Sequence, residues 1–294
     1  MQNFLIYTIG GLVLGGIYAL TAVGYSMVYG ILELVNFAHG TIYMIGAFLF
    51  YLLNVSLGMP GLIAFFLAVV LTGILGIAYE RLALRPLRIR NLPKFCFLIC
   101  TIGVSYFLEN IFFVFLGSES RLYPTMMEDR FIKLFGVNIT IVQIVTIITS
   151  VVLMLVLTWF VKKTPTGMAM RATAENRTAT QLMGISVDNI VSITFFLGSA
   201  LAAVAGIFTC MTYRSVSTSI GVTTGTKTFA ATVLGGIGEI KGAVIGGLII
   251  GLTESYTSGY IGSEYRNMVA FILLIIVLLF KPNGLFGKPV QKKV

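Results

Sequence analysis

The chain has 294 residues, of which 57% are hydrophobic and 11% charged, and its mean hydropathy is +0.96. That leaves too little polar surface to cover a soluble globule of this size. The net charge of +9 does not point to nucleic acid, because the basic residues sit in short loops beside apolar runs, as in a polytopic membrane protein.

Apolar stretches of about 20 residues recur, the length a helix needs to cross a hydrocarbon core of roughly 30 Å, and no ten-residue alternation suggests a β-barrel. The expected fold is an all-α membrane bundle, residues 1–294 forming one transmembrane domain of eight or nine segments. In chain order the spans are expected at 5–29, 38–55, 61–80, 95–116, 139–161, 189–211, a short 226–238, 242–257 and 266–280. The first run, beginning MQNFLIYTIGG, has no basic flank and reads as a retained span. Residues 80–94 carry Arg81, Arg85, Arg88, Arg90 and Lys94 against Glu80, which places that loop in the cytoplasm. The loop 117–138 is balanced, with Arg121, Arg130 and Lys133 against Glu119, Glu128 and Asp129, and belongs outside. Lys162, Lys163, Arg171 and Arg177 bring the chain back to the cytoplasm, and Lys281, Lys288, Lys292 and Lys293 place the C-terminus there. Alternation then puts the N-terminus outside. The segment 226–238, ending in Gly235, Gly236 and Gly238, is short for a full crossing and suits a half-helix shielded by protein or water.

Asn36, the lone histidine His39 and Gly40 interrupt two apolar runs in VNFAHGTIYMIG. Polar groups there need internal partners or water. Structural hydrogen bonding, a place on a translocation route, or proton relay with Glu33 are the three readings. Glu109 and Glu254 fall toward the outer ends of their spans, where snorkelling is the simplest account. Cys96 and Cys100 stand at i,i+4 in an apolar helix and read as packing residues. Pairs such as Gly11 and Gly15, Gly242 and Gly246, and Gly247 and Gly251 are expected to let helix backbones approach closely within the subunit.

Gly167 to Asp188 is a polar island between long apolar runs. As one helix it places Met168, Ala172, Ala179, Leu182 and Met183 on one face and Arg171, Ala174, Thr178 and Gln181 on another. Gly184 is the expected left-handed stop, with Ile185 folding back and Ser186 and Asp188 capping the next span. Its small side chains make a poor lipid-binding face, which favours docking to a protein. The stretch GVTTGTKT misses the phosphate-loop spacing, since Thr226 separates Gly225 from Lys227. One histidine cannot furnish a zinc site, and no nucleophile–base arrangement can be assembled. The sequence reads as a chain with no catalytic residues, metal or cofactor of its own.

The motifs GGIYAL, GYSMVYGILELVNFAHGTIYMIGAF, GMAMRATAENRTATQLMGI and FAATVLGGIGEIKGAVIGGLIIG occur in order. Together they resemble the permease subunits of branched-chain amino-acid ABC importers, of the LivH type, over essentially the whole chain. The resemblance implies a multi-pass bacterial inner-membrane importer. It would contain two cytosolic ATPases holding ATP and magnesium, a second permease of LivM type, a periplasmic binding protein and surrounding lipid. It also implies an ATPase-coupling loop within 162–188, corresponding to Arg171, Ala172, Thr173, Ala174, Glu175, Asn176, Ala179, Met183 and Gly184. A path for the substrate is expected near the broken helix ends at Asn36, Phe37, His39 and Gly40 and at Thr228, Gly235 and Gly236. The family commonly carries proline where this chain has Lys241. The alternative to ATP-driven import is an ion-gradient-driven carrier or channel for a small solute such as urea or another amino acid, using Glu33 and His39.

Overall fold

The computed structural model describes residues 2–123, 131–134 and 137–287. Glu128, Asp129, Arg130, Lys288, Lys292 and Lys293, used above in the charge count, lie outside the described residues.

The chain opens with α1 (Gln2–Leu32), turns through a short loop, and continues into α2 (Ala38–Tyr51), which is prolonged by a π-turn at Leu52–Ser56. Next comes α3 (Gly61–Tyr79), joined by a second π-turn, Glu80–Leu84, to α4 (Arg85–Ile89). The long helices α5 (Lys94–Leu116) and α6 (Ile141–Lys163) follow. Between them run the short strands β1 (Arg121–Leu122), β2 (Phe131–Leu134) and β3 (Val137–Thr140). Thr140 starts α6 with a capping box, accepting from Gln143 N–H while the Gln143 side chain accepts from its own. The polar island forms α7 (Pro165–Glu175) and α8 (Arg177–Leu182). Then come α9 (Val187–Tyr213), β4 (Ser215–Val216), α10 (Ile220–Gly235), α11 (Ile240–Tyr260) and, after one 3-10 turn, α12 (Arg266–Phe280).

Among the described residues, seven helical stretches are long and apolar enough to cross a membrane, corresponding to all the expected spans except 226–238 and 242–257. The chain is therefore a polytopic helical membrane protein. The missing two are real helices with a different composition. α11 carries Lys241, Glu254 and a run of glycines. α10 has 16 residues, about 24 Å at 1.5 Å per residue, shorter than the core of a bilayer. It also begins six residues before the expected 226, with the Thr223 hydroxyl satisfied by the Ser219 and Ile220 carbonyls and that of Thr226 by the Val222 carbonyl.

α1, α2, α9, α10 and α11 form the interior, while α3, α5, α6 and α12 surround it with apolar faces turned outward. The closest crossing joins α1 and α11. A Cβ on Gly251 would land on the Gly15 backbone, and one on Gly247 on Ala19. The glycine pairs at four-residue spacing therefore serve close packing inside the subunit, as the sequence suggested.

The two ends of the bundle differ. At one, Lys94 pairs with Glu33, Arg85 with Asp188, and Arg177 with the Ile31 carbonyl. This basic end collects the loops expected in the cytoplasm. At the other, β1 pairs antiparallel with β4, and the Tyr123 N–H donates to the Arg214 carbonyl. Those segments were read only as loop; two-residue strands leave no periodicity to find.

Candidate functional site

The island is two helices, a correction to the single helix expected. Asn176, with φ −155° and ψ 107°, breaks it, and its Oδ1 accepts from Ala179 N–H at 3.0 Å to start α8. The stop at Gly184 is as expected. Its φ is +79°, the Ile185 N–H reaches back to the Thr180 carbonyl and the Gly184 N–H to that of Gln181, the paired bonds of a Schellman turn. Ser186 then caps α9 by accepting from Asn189 N–H. Asp188 does not cap; it is drawn into ion pairs described below.

The two faces of the island are clearly separated. The residues packed inward are Gly167, Ala169, Met170, Thr173 and Thr180. The stripe predicted to be apolar points out: Met168 is 53% exposed, Leu182 84% and Met183 81%, with Ala172, Ala174, Glu175, Asn176 and Ala179 exposed around them. The small residues Ala169 and Thr173, with Met170, make the bundle contact and leave the apolar stripe free on the other side. Thr173 satisfies its buried hydroxyl on the Ala169 carbonyl.

The island is pinned to the bundle by its basic residues. Arg171 donates to the Lys162 carbonyl at 3.3 Å. Arg177 donates through Nε and Nη2 to the Ile31 carbonyl, at 3.2 and 2.7 Å, at the end of α1. Burial and the neighbouring Arg88 lower the pKa of Arg177, partly offset by Glu33; its ordinary value is so high that it stays charged.

Beside the island lies a charged chain that sequence reading missed. Glu80, fully buried at the π-turn, accepts from Arg88 at 2.9 Å and from the Ser192 hydroxyl at 2.8 Å. Arg88 reaches on to Asp188 at 2.7 Å, and Arg85 reaches the same carboxylate at 2.6 Å. This ties the 80–94 segment to the start of α9. The available signal was Glu80 itself, a lone acid ahead of five basic residues.

Asn36, Phe37, His39 and Gly40 converge on one cavity of 230 Å³, walled also by α5 through Ser105 and Glu109 and by α10 through Gly225 and Phe229. His39 donates from Nε2 to the Thr21 carbonyl at 3.1 Å and stands edge-on to Tyr25, whereas Glu33 pairs with Lys94 at 2.7 Å on the exposed basic end. Thr228, Gly235 and Gly236 are not among the lining residues. Thr228 is buried, Gly235 packs on the Gly242 backbone and Gly236 on Gly287. α10 meets the cavity with the face carrying Gly221, Val222, Gly225, Thr226 and Phe229, and Thr228 lies off that face.

Glu254 overturns the snorkelling expectation. It is 2% exposed, and its carboxylate takes Lys227 Nζ at 2.7 Å on one oxygen and the Tyr18 hydroxyl at 2.8 Å on the other. Lys227 is itself buried, so the pair clips the short α10 to α1 and α11. Lys227 was read only as a failed phosphate-loop lysine; its partner lies 27 residues away, beyond any local pattern.

Residues 7–278 match the family described as branched-chain amino acid transport system / permease component. The high-affinity branched-chain amino acid transport system permease protein BraD of Pseudomonas aeruginosa is 40% identical, covering 100% of this chain and 99% of its own. The corresponding LivH protein of Escherichia coli K12 is also 40% identical, over 99% and 98%. A probable LivH permease of Methanocaldococcus jannaschii is 28% identical over 95% and 91%. No solved structure matches the chain.

Proposed function

Because the chain belongs to the branched-chain amino acid transport permease family, we propose that it forms part of the path by which an ATP-driven importer carries leucine, isoleucine or valine across the bacterial inner membrane. Two cytosolic ATPase subunits supply the energy from ATP and magnesium, a second permease of LivM type completes the path, and a periplasmic binding protein delivers the substrate. The basic end of the bundle then faces the cytoplasm, in keeping with its surplus of arginine and lysine.

The observation that carries the reading is the outward face of α7 and α8. Leu182 and Met183 stand exposed at the end of a rigid, capped helix pair whose other side is bolted to the bundle. Exposed apolar side chains on a polar island suit a groove on a partner protein. The bonds from Arg177 to the Ile31 carbonyl carry any displacement of the island to the end of α1. Five residues further on stands Asn36, on the cavity wall. An ion-gradient carrier working through Glu33 and His39 finds less support, since these two groups bond to Lys94 and to Thr21 respectively.

Replacing Leu182 and Met183 together by glutamate should abolish docking while leaving α7 and the bundle intact. In proteoliposomes holding the assembled complex, uptake of leucine is expected to fall at least tenfold, with the permease still inserted. Wild-type uptake by this variant would remove the island from the coupling role.

A further inference from the structure

The segment joining α3 to α5 carries five basic side chains, and the structure divides them into two groups. Arg85 and Arg88 turn inward onto Asp188 and Glu80, and Lys94 takes Glu33. Arg81 and Arg90 are both exposed, and neither pairs with an acid among the described residues. The second is held in place by a tight turn. Asn91 has φ 48°, its N–H donates to the Arg88 carbonyl, and the Leu92 N–H donates to that of Leu87.

Between these two arginines the surface is apolar. Leu82 is 80% exposed and Ile89 66%, and past the turn Phe95 is 67% exposed. Three such side chains together make a poor surface for water. They continue the outward face of α3, through Val70 and Ile74, and lead into that of α5 at Ile99. Those two faces meet lipid, so the segment between them lies where acyl chains give way to headgroups. Arginine suits that depth, because its stem stays among apolar groups while the guanidinium reaches outward. Arg81 and Arg90 stand nine residues apart in a helical run, which is about 13 Å of rise. That separation suits two headgroups better than a single phosphate.

We propose that residues 80–90 form a binding surface for anionic phospholipid in the leaflet at the basic end of the bundle. Arg81 and Arg90 each hold a headgroup phosphate, and Leu82 and Ile89 lie among the acyl chains. The fork of a guanidinium matches phosphate oxygens, and an anionic headgroup brings no cation of its own to oppose it. Bound lipid thereby braces a segment that Arg85 and Arg88 tie to the start of α9. The inference requires only that the chain spans a bilayer, and it stands apart from what the chain transports.

The test titrates phosphatidylglycerol or phosphatidylcholine into the full chain in detergent and reads bound lipid by native mass spectrometry. Arg81→Gln and Arg90→Gln are each expected to weaken phosphatidylglycerol binding about fivefold, and together about 25-fold, the scale set by one basic group near an anionic surface. Phosphatidylcholine binding should stay as in wild type, which a general loss of folding would not allow. Replacing both arginines by lysine should keep most of the preference, since the charge remains. A double glutamine variant within twofold of wild type for phosphatidylglycerol overturns the proposal, and if that variant fails to fold, the single ones decide by the same limit. Displacement of phosphatidylglycerol by an equal concentration of inorganic phosphate also overturns it, by making this a small-anion site. An unchanged lipid preference with loss of ATPase binding overturns it too, and gives the surface to a protein partner.

Discussion

Glu254→Leu is expected to lower the stability of the purified protein in detergent by about 3–5 kcal/mol, the cost of leaving a buried partner charge uncompensated. Lys227 would then sit at 5% exposure with only the Tyr18 hydroxyl at 3.4 Å and the half-exposed Arg266 nearby. An ammonium buried without a carboxylate partner is costly, and it is relieved by deprotonation or by α10 moving away from α1. Adding Lys227→Met to Glu254→Leu should recover most of the loss, since two apolar side chains of similar volume replace a desolvated pair at little net cost. Thermal unfolding of the single and double variants checks both parts. A single variant as stable as wild type, or a double variant no better than the single one, would show that the pair does not hold α10 in place.

Gly251→Val attacks the same bundle through shape alone. The added Cβ falls on the Gly15 backbone, which cannot yield as a side chain end can, so α1 and α11 must separate along their whole crossing. Overpacking of this kind costs about 1–3 kcal/mol in well-packed interiors, and membrane helices depend on close packing for much of their association. Gly103→Val is the control: a Cβ there has nothing within 4 Å. Expression level and unfolding temperature should fall for Gly251→Val and stay within error for Gly103→Val. Equal behaviour of the two would mean that the glycine-mediated crossing is not a principal contact.

Much of this architecture is legible in the sequence, for identifiable reasons. Long apolar runs fix the spans because a bilayer tolerates few other patterns, and the excess of arginine and lysine in 80–94 and 162–177 marks the end at which those loops gather. Gly184 announces its turn because few other residues adopt its φ. What escaped is pairing at a distance. Nothing near Glu80 names Ser192, and nothing near Glu254 names Lys227 or Tyr18, so a buried ion pair looks like two isolated oddities until the helices are assembled. The direction of the island's faces is not legible in the sequence for a related reason. A face of alanines and threonines has almost no hydrophobic contrast, and only the break at Asn176 and the packing of Met170 and Thr173 decide which side is inward. In the cavity, the run from Asn36 to Gly40 was visible as a polar interruption, but the walls from α5 and α10 were not.

The pairing of Lys227 with Glu254 has an electrical consequence. A solitary ammonium moving across the membrane field would do work of about 2.3 kcal/mol per 100 mV traversed, making any shift of its helix sensitive to voltage. Bound 2.7 Å from a carboxylate, it moves as part of a dipole of no net charge. The pair therefore adds no net gating charge to a rearrangement of α10 together with α11.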